Sequence, residues 1–430
     1  MSNKSLLAHK IRAIAGSDET DEPNFPINAF VIDGGALLQS VAWPKDLTVG
    51  SIVERYSAYL KTPPSETTIV FDGYPDCPTI KDMTHARRGT QTCPDISFNT
   101  HTTIKMSKVS FLSNKKNKMS FIQSLSDHLR TCGFQTIVAE SDADASIVKH
   151  AIDAVKAKKS VCVMGDDTDL LVMLIHYGIH DLPDNSNLVM KSKYYEINIM
   201  KVCQKEADHP WLKYILFIHA FLGCDTTSHP YRIGKTKLTE KSMHRYLPHS
   251  EVFYKMDSSY EAISSAGEII GVGLYRCKFI GNLNHLRYKM YSEAISKNTL
   301  EVKQIKALCP TSKAFAFHSY RVYLQMQVWL GNNLNPTCWG WQEKEGALSP
   351  IGIQEMSPPD IATLISCSCK TGCKNRTCSC RKQDIECDIG CLNCTMNDCS
   401  NFSKRVPMEE EDHEDGLRDW SEEDSESEID

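Results

Sequence analysis

The chain has 430 residues, 41% of them apolar and 24% charged, which is enough for two or three domains with real cores and excludes a fibrous or wholly disordered protein. Its net charge of −6 conceals two parts: residues 408–430 hold 13 Asp/Glu and one Arg, while the rest carries 47 Lys/Arg against 41 Asp/Glu. No apolar run reaches 18 residues, so no membrane-spanning helix and no membrane partner is expected, and with no apolar signal segment at the start the 18 Cys are not expected to form disulfides.

Residues 1–27 are polar, acidic and proline-bounded toward their end, and read as a loose leader. Ala29 to Ile32 is a strand ended by Asp33-Gly34-Gly35, and Ser51 to Leu60 suits a short helix. Thr67 to Phe71 is a second strand, ended by Asp72-Gly73. Residues 75–120 show no clear strand, and between Lys81 and Lys118 lie eight Lys/Arg and two Asp. Phe121 to Arg130 reads as a helix. Gln135 to Ala139 is a third strand, followed by Asp142 and Asp144, and Ile147, Val148, Ala151, Ile152 and Val155 then share one helical face. Val161 to Met164 is short and β-branched, as a strand buried on both faces should be. Gly165 breaks it, Asp167-Thr168-Asp169 follow, and an apolar helix begins at Leu170. A buried helix over Trp211 to Leu222 leads to Gly223-Cys224-Asp225 and a turn-rich segment reaching Lys237. Residues 241–338 read as a helical extension, clearest over Tyr320 to Leu330, and 339–366, with Trp339-Gly340-Trp341 and several prolines, as a linker. Four buried strands separated by helical spacers predict an α/β domain over 28–240, with a mainly parallel sheet and helices on both faces.

Every predicted strand ends in acid: Asp33, Asp72, Asp142 with Asp144, and Asp167 with Asp169. Parallel strands bring such ends to one edge of the sheet, where open α/β folds bind their ligands. Asp and Thr are also ordinary helix caps, so each turn alone has a bland explanation. Gathered together, the carboxylates would resist ionisation unless cations neutralise them, and oxygen-only ligands select hard ions such as Mg²⁺ or Mn²⁺. That many acids suits two ions, the usual arrangement for phosphodiester cleavage.

In order, Asp33, Val70-Phe71-Asp72-Gly73, Asp142-Ala143-Asp144, Asp167-Thr168-Asp169 and Gly223-Cys224-Asp225 resemble the motifs of PIN-like nucleases of the flap endonuclease/XPG group, over roughly residues 28–240. The resemblance implies a PIN-like fold, a structure-selective DNA nuclease, and Asp33, Asp72, Asp142, Asp144, Asp167, Asp169 and Asp225 as ligands of two Mg²⁺ or Mn²⁺. It implies that Lys81 and Arg88, seven residues apart and so on one helical face, hold the scissile phosphate. The basic 75–120 segment then matches the helical arch of that family, with Phe98 and Phe111 as stacking platforms for a single strand; a long surface loop is the alternative. Gly234, Lys235 and Lys237 match a helical DNA-backbone motif. Two departures stand out: the family's acid-Ala-acid pair is usually Glu, and its Gly-Ile-Gly reads Arg232-Ile233-Gly234 here.

Nine Cys crowd into Cys367, Cys369, Cys373, Cys378, Cys380, Cys387, Cys391, Cys394 and Cys399. In a reduced compartment this density reads as zinc thiolates. Three tetrahedral Zn²⁺ need twelve sulfur positions, which nine Cys supply if three of them bridge. The spacing resembles CXC domains, both the segment before the SET domain of Polycomb-type methyltransferases and tesmin-type domains. Some CXC domains bind DNA through the loop between the third and fourth Cys; here Arg376 sits in it, and both a DNA reader and a protein-docking or chromatin-docking cap remain open. This module spans 367–403, and 404–430 is expected to be a disordered acidic tail. The whole arrangement resembles invertebrate open reading frames associated with mobile elements. A divalent-metal-dependent, structure-selective DNA nuclease with a zinc module, acting in the nucleus on branched or junction DNA, is the expectation. A nuclease-derived binding protein that has lost its chemistry is the alternative, and an RNA-cleaving PIN enzyme a more distant one.

Overall fold

In the computed structural model, strands β1 (Ala29–Asp33), β2 (Thr67–Phe71), β3 (Gln135–Val138), β4 (Val161–Met164), β5 (Leu188–Lys191) and β6 (Glu196–Asn198) form one sheet in the order β3-β2-β1-β4-β5-β6. All neighbours are parallel except the β5–β6 pair. The described residues are 5–16, 25–61, 66–74, 78–80, 93–140, 142–276, 279–296, 307–344, 346–353, 367, 369, 372–382, 386–387 and 399–401. The chain divides into Met1–Glu293 with Glu301–Met356, and Ala294–Leu300 with Ser357–Asp430. The cysteine-rich segment belongs to the second unit.

The sheet carries a core on each side, but edge strand β3, expected to be buried, is only partly covered, with Val138 44% exposed; the period of two along each strand decides which side chain goes where. Val31, Val70 and Val163 join a core with α1 (Ser5–Ala15), α6 (Asp144–Lys156), α7 (Thr168–Asp181), α8 (Ile199–Cys203) and α9 (Ile215–Phe221). Ile32, Ile69 and Phe71 join the opposite core, against α2 (Gly34–Ser40), α3 (Val49–Leu60), α4 (Lys108–Ser113) and α5 (Lys115–Thr131). The mainly parallel α/β architecture expected from the sequence is the one observed.

Several segments differ from expectation. The leader contains α1, whose Leu7 and Ile11 are both fully buried; an i, i+4 apolar pair within a polar stretch marks the inner face. Strands β5 and β6, of four and three residues, are additional to the four expected. The basic 93–120 stretch is not an open arch. Phe111 is fully buried and packs on Trp43, Phe98 and Phe121, because the apolar cost of exposing these rings exceeds any gain from holding them ready for bases. Phe98 and Phe111 are therefore core residues, and α5 starts six residues before the predicted helix. The helical extension is present as α10 (Tyr260–Tyr275), α11 (Leu283–Ser296) and α12 (Ser312–Trp329). Part of the expected linker is structured: Trp341–Lys344 (β7) pairs with Ala347–Pro350 (β8), and Trp341 is buried beside Leu324 and Leu348. Two large indoles made burial favourable where prolines suggested a spacer.

Gly73 shows how tightly the acid-bearing edge is closed. A Cβ there would collide with the Ala139 carbonyl oxygen and come within 2.7 Å of the Glu140 carbonyl oxygen, both backbone atoms with no rotamer to yield. Gly73→Ala should therefore lower the unfolding free energy by roughly 1–3 kcal/mol, read from urea denaturation. Wild-type stability in this variant would mean that the β2 and β3 ends lie farther apart than described.

Candidate metal centres

The strand-ending acids converge at the C-terminal edge of the parallel sheet. One oxygen each from Asp144, Asp167 and Asp169 lies within 4.8 Å of the others. Asp33 faces the charges of Asp72 and Asp167. A Cβ built on Gly35 would lie 3.1 Å from Asp33 Oδ1 and 3.8 Å from Asp72 Oδ2, so these two carboxylates approach one point in space.

Local backbone chemistry places each of them. Asp33 caps α2, accepting from Gly35 N at 2.7 Å, and Asp167 caps α7, accepting from Asp169 N at 3.1 Å. Asp72 Oδ1 accepts from Ala143 N at 3.1 Å, which draws the end of β2 onto the residue before Asp144. The ordinary capping role and the clustering are thus both true: the caps supply N–H donors that offset part of the repulsion. Burial is the main force on Asp33, with Asp72 and Asp167 adding to it, and its pKa is pushed up to about 6 despite the N–H bonds from Ala36 and Gly35.

Asp169 is 4% exposed, and its Oδ1 meets Nε2 of fully buried His219 at 2.7 Å. The His219 ring stacks on Trp329 with centroids 5.8 Å apart. Lys235, 2% exposed, lies with Nζ 3.4 Å from His219 Nδ1 and 3.3 Å from the His219 carbonyl oxygen. Lys235 thus points into the interior and does not offer its charge to a backbone outside, which corrects its expected DNA contact. Lys237 is more exposed and pairs with Glu240 at 2.6 Å. Gly234 has open space where a Cβ would stand, so nothing in the fold requires a glycine there. Arg232, in the place of the family's first glycine, has φ +62°, the left-handed conformation that glycine adopts at least cost.

Asp142 and Asp225 are half-buried and lie outside the tight trio of oxygens. Lys81 and Arg88 lie outside the described residues. Sequence reasoning missed two groups. His219 sat in an apolar helix, where a lone His reads as core. Lys118 had been counted with the arch; on α5 its ammonium hydrogen-bonds the Tyr74 hydroxyl, lies 4.8 Å from the centre of that ring, and feels the charges of Asp72 and Asp33.

In the second unit, Cys367 Sγ lies 3.6 Å from Cys373 Sγ and 3.8 Å from Cys387 Sγ, and Cys378 Sγ lies 3.8 Å from Cys387 Sγ. Disulfide sulfurs would be about 2.05 Å apart. The edge of a tetrahedron with Zn–S of about 2.3 Å is about 3.8 Å. The spacing therefore fits thiolates around a metal. Cys367, Cys378, Cys380 and Cys387 form one group; Cys367, Cys369, Cys373 and Cys378 a second; Cys373, Cys387 and Cys399 a third. Arg381 closes the fold by donating to Cys373 O at 2.9 Å and Ser400 O at 2.7 Å. Arg376 is exposed on its loop. Cys391 and Cys394 lie outside the described residues.

Three solved structures similar to this chain come from one phage system. A mutant T5 5′-exonuclease matches with a TM-score of 0.35 and 11% identity, covering 71% of this chain and 89% of that one. A bacteriophage T5 flap endonuclease in a pseudo-enzyme–product complex with DNA and metal ions matches with a TM-score of 0.35 and 12% identity, covering 70% and 90%. The T5 5′-exonuclease bound to zinc matches with a TM-score of 0.31 and 11% identity, covering 68% and 99%. No protein-family model matches the chain, and no curated protein does. Among the described residues no helix is long and apolar enough to cross a membrane.

The Asp33 shift fixes a pH response. A carboxyl whose folded pKa is about 6 against an ordinary 3.8 binds its proton more tightly in the folded state. Folding therefore carries no penalty from Asp33 below about pH 4, gains one as pH rises, and carries it fully above about pH 6. Without divalent metal, wild type should lose on the order of 2–3 kcal/mol more than Asp33→Asn between pH 4 and 7. Parallel stability–pH curves for the two would contradict the clustering of Asp33 with Asp72 and Asp167.

Proposed function

We propose that this chain is a divalent-metal-dependent DNA nuclease of PIN-like fold, with Asp33, Asp72, Asp144, Asp167 and Asp169 as the core of the metal-holding set and Asp142 and Asp225 completing it. The observation that carries the reading is the convergence of Asp144, Asp167 and Asp169 beside Asp33 at the C-terminal edge of a parallel sheet. An all-oxygen donor set suits Mg²⁺ or Mn²⁺. Two such ions supply an activated water and neutralise charge on the attacking and leaving oxygens of a phosphodiester. The protein's own part is to hold the carboxylates before metal arrives, through the caps at Asp33 and Asp167 and the His219 contact with Asp169. Lys118 adds a cation beside Asp72 and Asp33. Lys81 and Arg88 are proposed to hold the scissile phosphate, and Gly234 and Lys237 to lie along the substrate backbone. An assembled acid cluster speaks against a chain that has lost its chemistry.

We further propose that Cys367, Cys369, Cys373, Cys378, Cys380, Cys387, Cys391, Cys394 and Cys399 hold three Zn²⁺, in a CXC-type module that docks DNA or chromatin in the nucleus. The sharing of Cys367, Cys373, Cys378 and Cys387 between sulfur groups supports bridging thiolates.

With Mg²⁺ or Mn²⁺ the full chain should cleave 5′-labelled flap or junction DNA, and Asp167→Asn should reduce turnover by at least about a hundredfold. That is about 2.7 kcal/mol of barrier. Lys81→Ala and Arg88→Ala should lower turnover more than binding. Full cleavage by Asp167→Asn would overturn the two-metal reading. Metal analysis of the full chain should give three zinc per molecule, and fewer would mean that some of the nine Cys are free or bind otherwise.

A further inference from the structure

A second polar site lies in the first unit, around α12 and the Ser228–Tyr231 segment that follows Asp225. A cavity of about 390 Å³ is lined by Ser228, Tyr231, Phe315, His318 and Arg321, among others. Sites for small organic ligands commonly occupy roughly 300–1,000 Å³.

Arg321 is the unusual member. It is 9% exposed, and burial alone holds its pKa down to about 10, so it stays cationic at neutral pH. A guanidinium carries five N–H donors. Among the described residues Arg321 has one acceptor, the Gly340 carbonyl oxygen at 3.3 Å, and no carboxylate forms an ion pair with it. That carbonyl already accepts from Ile351 N at 2.9 Å. A buried charge so weakly paired costs stability and calls for an anion.

The surroundings hold the guanidinium in place. Gly340 has φ +82°, and a Cβ there would stand 3.4 Å from Arg321 Nη1, so the backbone itself seats the arginine. Trp339 packs on Tyr260 and Tyr323, and Trp341 is buried, which pins Gly340 from both sides. The Trp-Gly-Trp sequence thus builds the floor beneath Arg321. His318, one helical turn earlier, brings no second charge. Its Nε2 lies 3.0 Å from the Phe221 carbonyl oxygen and so carries the proton, and its Nδ1 accepts from Ser228 Oγ at 2.8 Å. Burial pushes its pKa down to about 3. One fixed positive charge and the half-exposed ring of Tyr231 in the cavity wall suit a ligand with one anionic group and a planar ring.

We propose that this cavity binds a nucleoside monophosphate group, its phosphate paired with Arg321 and its base against the ring of Tyr231. Phosphate–guanidinium pairing is bidentate and charge-assisted, and base stacking on aromatic rings is worth roughly 1–3 kcal/mol. Free mononucleotide and the 5′-phosphorylated end of a single strand offer the same chemistry. The inference goes beyond nuclease activity, and binding can succeed whether or not the chain cleaves DNA.

The test is calorimetric titration of the full chain carrying Asp167→Asn, without added divalent metal, so that the acidic edge does not capture the probe. 2′-Deoxyadenosine 5′-monophosphate should bind at least tenfold more tightly than deoxyadenosine. Adding Arg321→Gln should remove that preference, and Tyr231→Ala, at a residue 47% exposed and so safe for folding, should weaken binding severalfold. A short single strand with a 5′-phosphate that outcompetes both its 5′-hydroxyl form and the mononucleotide assigns the strand end; mononucleotide binding without such a preference assigns the free nucleotide. The proposal is overturned if neither probe binds, or if Tyr231→Ala and a folded Arg321→Gln bind both unchanged.

Discussion

Mutual repulsion among carboxylates is the constraint that the acid-bearing edge is built to withstand. Asp33, Asp72, Asp144, Asp167 and Asp169 reach one edge because their strands run parallel, and parallel pairing follows from helices covering both faces of the sheet. Left alone, such a group would protonate or splay apart. Here backbone N–H groups of Gly35, Ala143 and Asp169 are aimed at the acids, and His219 and Lys118 stand behind or beside them. Burial, with the charges of Asp72 and Asp167 adding to it, still pushes the pKa of Asp33 up to about 6.

His219 links the two halves of the first unit. Its partner Asp169 lies on α7, its stacking partner Trp329 closes α12, and Lys235 reaches it from the segment after Asp225. The helical extension is therefore more than an appendage: it packs directly behind a proposed metal ligand. Truncation before α12 would remove Trp329 from His219 and so loosen Asp169, even though no residue of α12 is placed among the acids.

Much of the edge was legible because strand and acid are both local signals. Val161 to Met164 followed by Gly165 and three Asp within four residues states a buried strand, a break and a capped helix. Strands β1 to β4 are legible for the same reason. Strands β5 and β6 are not, since neither is closed by the glycine or acid that marks the ends of the others. Non-local contacts were equally invisible. Nothing near Lys235 announces that His219 lies above it, and a lysine after glycine reads naturally as a phosphate contact. Phe111 among lysines suggested stacking on bases, but Trp43 and Phe121, distant in sequence, claim it. In the cysteine block, spacing announced metal, while the grouping of sulfurs around shared Cys367, Cys373, Cys378 and Cys387 needed coordinates.

The most direct measurement is anomalous X-ray scattering from crystals of the chain grown with Mn²⁺. The account predicts manganese at the C-terminal edge of the sheet, with an ion contacting Asp144, Asp167 and Asp169 and a second reached by Asp33 or Asp72. Ordered crystals with these five acids empty at saturating Mn²⁺ would contradict it.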